Sequence, residues 1–152
     1  MHLLRLSLAL TAFSLAACAS EPATRVESAP GSGERAADNA LKMVGKPYRY
    51  GGTSPSSGFD CSGLVQFSFR QAGIALPRST EDQHRATTRI RTSSIKRGDL
   101  LFFDELGKKK SHVAIYLGNG RFVHAPSSGK HVRTDTLDSP YWKKHLSEAR
   151  RV

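Results

Sequence analysis

The stretch Asp60-Cys61-Ser62-Gly63-Leu64-Val65-Gln66-Phe67-Ser68-Phe69-Arg70-Gln71-Ala72-Gly73 reads as a helix with a cysteine in its first turn. Its apolar positions, Leu64, Val65, Phe67, Phe69 and Ala72, surround much of the circumference, so the helix is predicted to be buried. Gly73 closes it as a helix C-terminus. A cysteine at a helix start meets unpaired N–H groups and the positive end of the helix dipole, which favour thiolate over thiol. The same N–H groups can stabilise an oxyanion beside the sulfur. Gly63 is expected to keep bulk away from the nucleophile, and Asp60 and Ser62 to cap the helix or orient a substrate. The plain alternative, an inert buried cysteine, leaves Gly63 and the histidines downstream unexplained.

Before this helix, Ala36, Ala37, Ala40, Leu41 and Val44 recur at three- and four-residue spacings, predicting a short amphipathic helix that ends at Gly45. Lys46 to Gly58 is a loop rich in turn residues. After Pro77, Thr80-x-x-Gln83 reads as a capping box for a third short helix. From Leu100 the period changes. Leu100-Leu101-Phe102-Phe103 suits a buried strand, and His112–Leu117 and Arg121–Ala125 flank Gly118-Asn119-Gly120, a hairpin signal. His131–Thr134 is a weaker strand candidate. Helices first and strands afterward predict an α+β domain, its N-terminal helices packed on a C-terminal antiparallel sheet. There are no internal repeats.

A thiol nucleophile needs a base, and the base needs a third group to hold its ring. Alternation puts His112, Ala114 and Tyr116 on one face of the first hairpin strand. A two-residue loop would place His124 opposite Ile115, on the wrong side. A three-residue loop, Gly118 to Gly120, places it opposite Ala114 on the face of His112, the two backbones roughly 7–8 Å apart. His112 is then the candidate base and His124 the group that orients it. Zinc bound by Cys61, His112 and His124 is the rival use of these side chains. No short Cys/His ligand pair is present and no fourth ligand is evident, so no metal or cofactor is expected. His84, His131 and His145, among polar or basic neighbours, are assigned no role.

The N-terminus has a basic start and an apolar run from Leu6 to Ala17, too short to span a bilayer. Leu15-Ala16-Ala17-Cys18 resembles a bacterial lipobox, with cleavage before Cys18 and lipid on its sulfur. Ordinary cleavage after Ala17 or Ala19 is the alternative. Residues 1–17 are thus expected to be a lipoprotein signal peptide, 18–33 a lipidated flexible tether and 34–152 one catalytic domain. Neither Ala19 nor Ser20 is the aspartate that retains such lipoproteins at an inner membrane, so the periplasmic face of an outer membrane is the expected location. A lipidated Cys18 cannot pair with Cys61, which leaves one free thiol in an oxidising compartment. The chain carries 23 basic and 13 acidic residues; beyond residue 38 the count is 20 against 9, a surface suited to anionic partners. Export removes nucleic acid from these. A solvated basic face without a partner is the plain alternative.

Taken together, the motifs resemble the NlpC-type cysteine endopeptidases of bacterial cell walls, which share a papain-like fold. They are Gly45-Lys46-Pro47-Tyr48-Arg49-Tyr50-Gly51-Gly52, Asp60-Cys61-Ser62-Gly63, Leu76-Pro77-Arg78-Ser79-Thr80, Arg97-Gly98-Asp99-Leu100, His112–Gly118 and Phe122-Val123-His124-Ala125. Pro140-Tyr141-Trp142-Lys143-Lys144 and Glu148–Val152 match the outer-membrane murein endopeptidases of MepS type. The resemblance implies a monomeric peptidoglycan hydrolase with Cys61 as nucleophile, His112 as base, His124 as orienting residue and Tyr48 near the oxyanion. D-Ala–diamino acid cross-links are its implied target. The Tyr48-to-Cys61 loop is one residue longer than usual, and Ala114 stands where glycine is usual, which is expected to narrow the cleft slightly. Lys108-Lys109-Lys110 is read either as an attractor for an anionic polymer or as a solvated loop. The rival readings are cleavage within the stem after D-Glu, amide or acyl transfer, and a non-catalytic wall-binding lipoprotein.

Overall fold

The helices end where their local chemistry stops supporting them. In the computed structural model, which describes residues 29–152, α1 spans Ser32–Leu41 and buries Ala36, Ala37 and Ala40. Cys18, the expected signal peptide and the tether up to residue 28 lie outside the described residues. Helix α1 starts before Glu34 and stops short of the expected Gly45. Met43 N–H bonds to Ala40 O and Val44 N–H to Leu41 O, so the chain tightens into i→i−3 turns and leaves Val44 exposed.

A small hairpin, β1 (Thr53–Ser54) with β2 (Gly58–Phe59), leads into α2, Cys61–Gln71. Asp60 is its N-cap, with Oδ1 accepting from Gly63 N–H at 2.7 Å, and Gly73 follows its end with φ 88°. Helix α3 spans Thr80–Ala86, but its cap is Ser79, one residue before the expected Thr80. Ser79 Oγ accepts from Asp82 N–H at 3.1 Å and donates to Asp82 Oδ2 at 2.7 Å, so Asp82 and not Gln83 is the cap's partner. Gln83 points inward, where its Nε2 donates to Ser62 O at 2.9 Å and Pro77 O at 2.8 Å, tying α3 to α2.

The strands are β3 (Thr88–Ile90), β4 (Leu100–Glu105), β5 (Lys108–Gly118), β6 (Arg121–His124) and β7 (Arg133–Thr136). The short helix α4 (Pro140–His145) precedes β8 (Leu146–Arg151). They form one antiparallel sheet in the order β3-β8-β4-β5-β6-β7. Strand β7 lies later than the expected His131–Thr134, because His131 forms an isolated bridge to Pro47 instead. Strand β8 gives little apolar signal: within it only Ala149 is buried, and charged side chains add to its pairing with β3 and β4. Arg151 makes two 2.7 Å bonds to Asp99, while Arg150 bonds to Glu148 at 2.8 Å and to Thr87 Oγ1 at 3.1 Å.

Alternation divides the core. Leu100, Phe102, Val113, Ile115 and Val123 face α1 and α2, which add Ala36, Ala40, Leu64, Val65 and Phe69. Leu101, Phe103, Ala114 and Phe122 face the other way, into a smaller cluster covered by Trp142 of α4. Ala114 is fully buried there, so its methyl is packing and does not narrow a cleft.

Gly63 also has a different role from the expected one. A Cβ on it would lie 2.0 Å from Gly52 O, so glycine is needed for the PYRYGG loop to pack against the first turn of α2. We expect Gly63→Ala to cost about 1–3 kcal/mol by overpacking against backbone, measured as a lowered denaturation midpoint. An unchanged midpoint would mean that the loop moves away freely.

Candidate active site

The β5–β6 hairpin turns through Gly118, Asn119 and Gly120, all with positive φ (95°, 51° and 73°). Gly118 pairs with Arg121, but the ladder shifts between Tyr116 and Gly118, and Ile115 pairs with Val123. The turn is thus the two-residue type, and the bulge restores the register of a three-residue loop. His112 and His124 share a face, with His112 Nε2 and His124 Nδ1 2.8 Å apart. Both rings are buried, at 3% and 0% exposure. Trp142 stacks on His112 at 5.7 Å between centroids and meets His124 edge-on at 5.0 Å.

Cys61 approaches from the other face. It packs against the helix-side core, with its Sγ 3.7 Å from Thr80 Oγ1. The backbone amides of Val113 and Ser62 also act on the sulfur, so the thiol reaches the strand at the residue after His112. Val113 lies beyond the last β5–β6 pair toward the open end of the hairpin, Ile115↔Val123. Among the described residues no hydrogen bond joins Sγ to the His112 ring.

Burial dominates the electrostatics. It pushes the Cys61 thiol up, against the Thr80 hydroxyl and the two amides, so the thiolate expected from the helix start is not the resting form. Burial also pushes His112 down to about 3, with His124 adding to the effect and Glu105 and Asp135 opposing it. His124 is held at about 4, again chiefly by burial. At neutral pH the thiol and both imidazoles are therefore uncharged.

Asp60 and Ser62 form a framework beside the sulfur. Asp60 Oδ2 accepts from Gly51 N–H at 2.9 Å and from Arg78 Nη2 at 2.6 Å, and Arg78 Nη1 donates to Ser62 Oγ at 2.8 Å. Both side chains are buried; Asp60 fills the capping role expected of it and also anchors the loop at Gly51, while Ser62 accepts from Arg78. Tyr48 is half-buried; burial raises its hydroxyl pKa, with Cys61 and Asp60 adding to the shift. It lines a surface cleft with Tyr50, Lys130 and His131. Of the three lysines, Lys110 pairs with Glu148 at 3.3 Å, and Lys108 and Lys109 are exposed.

Several neighbours of the site escape sequence reading. Asp135 Oδ2 lies 3.0 Å from His124 Nε2, and Glu105 Oε2 lies 3.8 Å from His112 Nδ1. Tyr141 donates its hydroxyl to Glu105 Oε1 at 2.6 Å. Arg78 stood in a quoted motif without a role, and Thr80 was read only as a helix cap. Asp135 had a findable signal in the alternation of β7, but only once that strand's register was known. Among the described residues no group of three His, Cys, Asp or Glu side chains is placed to hold a metal ion.

The NlpC/P60 family profile matches residues 45–151. The chain is 48% identical over 115 residues to the bifunctional muramidase/DL-endopeptidase CwlT of Bacillus subtilis, covering 74% of this chain and 34% of CwlT. It is 44% identical over 119 residues to the murein DD-endopeptidase MepS/murein LD-carboxypeptidase of Escherichia coli, covering 78% of this chain and 62% of MepS. The chain thus spans roughly a third to three-fifths of these two relatives. Its fold superposes on a lipoprotein-like NLP/P60 protein of Staphylococcus aureus with a TM-score of 0.71 and 41% identity, covering 87% of this chain and 45% of that one. With its α+β papain-like architecture and a family match over most of its length, this chain belongs to the NlpC/P60 family.

Proposed function

We propose that this protein is a cysteine peptidase that hydrolyses amide bonds of peptidoglycan, with Cys61 as nucleophile, His112 as base and His124 holding the His112 ring. The buried His112–His124 pair, ending one residue from the amide that meets the Cys61 thiol, carries this reading. A wall-binding module has no use for two neutral imidazoles desolvated beside a thiol. The relatives' names, murein DD-endopeptidase and DL-endopeptidase, supply the substrate class.

The neutral resting pair fixes the order of events. As Sγ attacks the amide carbonyl, the S–H bond breaks and its proton passes to His112, with the S–C bond forming and the carbonyl electrons moving to oxygen. Backbone N–H groups at the start of α2 face the developing oxyanion, and Tyr48 stands beside them. The C–N bond then breaks as His112 protonates the leaving amine. Water adds to the acyl-enzyme, giving its proton to His112, and the thiol is restored as the S–C bond breaks. Hydrogen bonds of this kind often tighten only when substrate binds, which accommodates the unbonded resting thiol.

The MepS-type C-terminal motifs favour the D-Ala–diamino acid cross-link as the bond cut. Cleavage within the stem after D-Glu is the second reading, favoured by the 48% identity to a DL-endopeptidase. Transfer to an acceptor other than water would leave a different product. Lipid on Cys18 would hold the domain at the cell envelope, on the periplasmic face of an outer membrane, and raise its concentration beside an insoluble polymer.

Incubating the chain from Ala19 with purified peptidoglycan and identifying the soluble products by mass spectrometry tests the reading. Loss of cross-linked dimers is expected, and Cys61→Ala is expected to abolish it. Shortened stems would place the cut within the peptide. A polymer left unchanged but bound by both proteins would overturn the enzyme reading. Because burial raises the thiol pKa, the sign for alkylation is also fixed: iodoacetamide should label Cys61 along a single titration centred above the ordinary thiol value of 9.0. Fast labelling that stays level across about pH 5–7 would mean a preformed thiolate–imidazolium pair.

A further inference from the structure

We infer that Asp135 is a positioning residue that sets, through two imidazoles in series, which nitrogen of His112 is free to take the thiol proton. This rests on the reading of His112 as the base. Asp135 Oδ2 lies 3.1 Å from Arg133 Nε, 2.9 Å from Arg133 Nη2 and 3.1 Å from Trp142 Nε1. Guanidinium and indole nitrogens only donate, so this oxygen is an acceptor toward all of them. The fourth group on the same oxygen, His124 Nε2 at 3.0 Å, must therefore carry its hydrogen.

The rest follows by exclusion. A neutral imidazole has one N–H. With the His124 hydrogen at Nε2, its Nδ1 is a lone pair, and the 2.8 Å contact requires His112 to donate from Nε2. His112 Nδ1 is then the nitrogen without a hydrogen. Burial would raise the Asp135 carboxyl, but the Arg133 guanidinium and His124 hold it below the usual carboxylate range, which keeps the acceptor ionised. Glu105 Oε2, 3.8 Å from His112 Nδ1, is placed to stabilise that nitrogen once it is protonated. Trp142 links the assembly, covering both rings while its N–H holds the carboxylate.

Removing the carboxylate reverses the chain. In Asp135→Ala the donors left beside His124 Nε2 are Arg133 and Trp142. They stabilise a lone pair at Nε2, move the His124 hydrogen to Nδ1 and force the His112 hydrogen onto its own Nδ1. Asp135→Asn keeps an acceptor oxygen at the same point and should preserve both tautomers.

The test is nitrogen-15 NMR of the histidine rings in the chain from Ala19, alongside turnover of purified peptidoglycan. His112 Nδ1 is expected to be unprotonated in the wild type and in Asp135→Asn, and protonated in Asp135→Ala. The expected fall in kcat for Asp135→Ala is on the order of 10²–10⁴, as when a triad histidine is held in the wrong tautomer, with KM little changed. Asp135→Asn should stay within about tenfold of wild type, a rescue that loss of packing alone would not give. A protonated His112 Nδ1 in the folded wild type overturns the proposal even if Asp135→Ala does not fold. So does an Asp135→Ala protein with unchanged tautomers and unchanged kcat. A wild type inactive on peptidoglycan would sink the proposed substrate, while the ring spectra would still decide the role of Asp135.

Discussion

Between Tyr116 and Gly118 the β5–β6 ladder slips by one residue, and the site depends on that slip. Because side chains alternate with a period of two, one residue of register moves a whole strand's side chains to the opposite face. Without the bulge His124 would point into the helix-side core and His112 would lose its partner. Three successive positive-φ residues make the turn, two of them glycines and the third an asparagine, a residue that tolerates this region.

The same sheet keeps two chemistries apart until they meet at its end. The helix-side core fixes Cys61 through α2, whose first turn is clamped by Asp60, Arg78 and the Gly52–Gly63 contact. The opposite cluster holds the imidazoles among Phe103, Phe122 and Trp142. Burying polar rings there is tolerable because His124 has a partner at each nitrogen and His112 Nε2 has His124. The desolvation that keeps the rings neutral leaves His112 uncharged at neutral pH, and it opposes the charge that any added proton would bring to the ring.

Burial also overrides a local rule. A cysteine in the first turn of a helix reads as a thiolate when only the helix is considered. Packing between α2, Thr80 and β5 removes water from the sulfur, and the neutral thiol wins. The protein thus holds a neutral thiol and neutral imidazoles at rest, and in the proposed reaction charge develops only as the proton moves.

The local signals in the sequence determined the α+β order, the start of α2 at Cys61 under the Asp60 cap, the apolar strands β4 and β5, and the hairpin that carries both histidines. These rest on short-range periodicity and turn chemistry, which neighbouring residues set among themselves. Tertiary structure decided the rest. Strand β8 is placed by pairing with β3 and β4 and by the ion pair between Arg151 and Asp99, all far apart in the chain, and carries almost no apolar pattern of its own. The role of Gly63 depends on a carbonyl eleven positions earlier, at Gly52. The bond between Asp135 and His124 required the register of β7 across a loop whose path no local rule fixes. The protonation of Cys61 depended on how much water the assembled fold excludes, a property of the packed molecule and not of any stretch of chain.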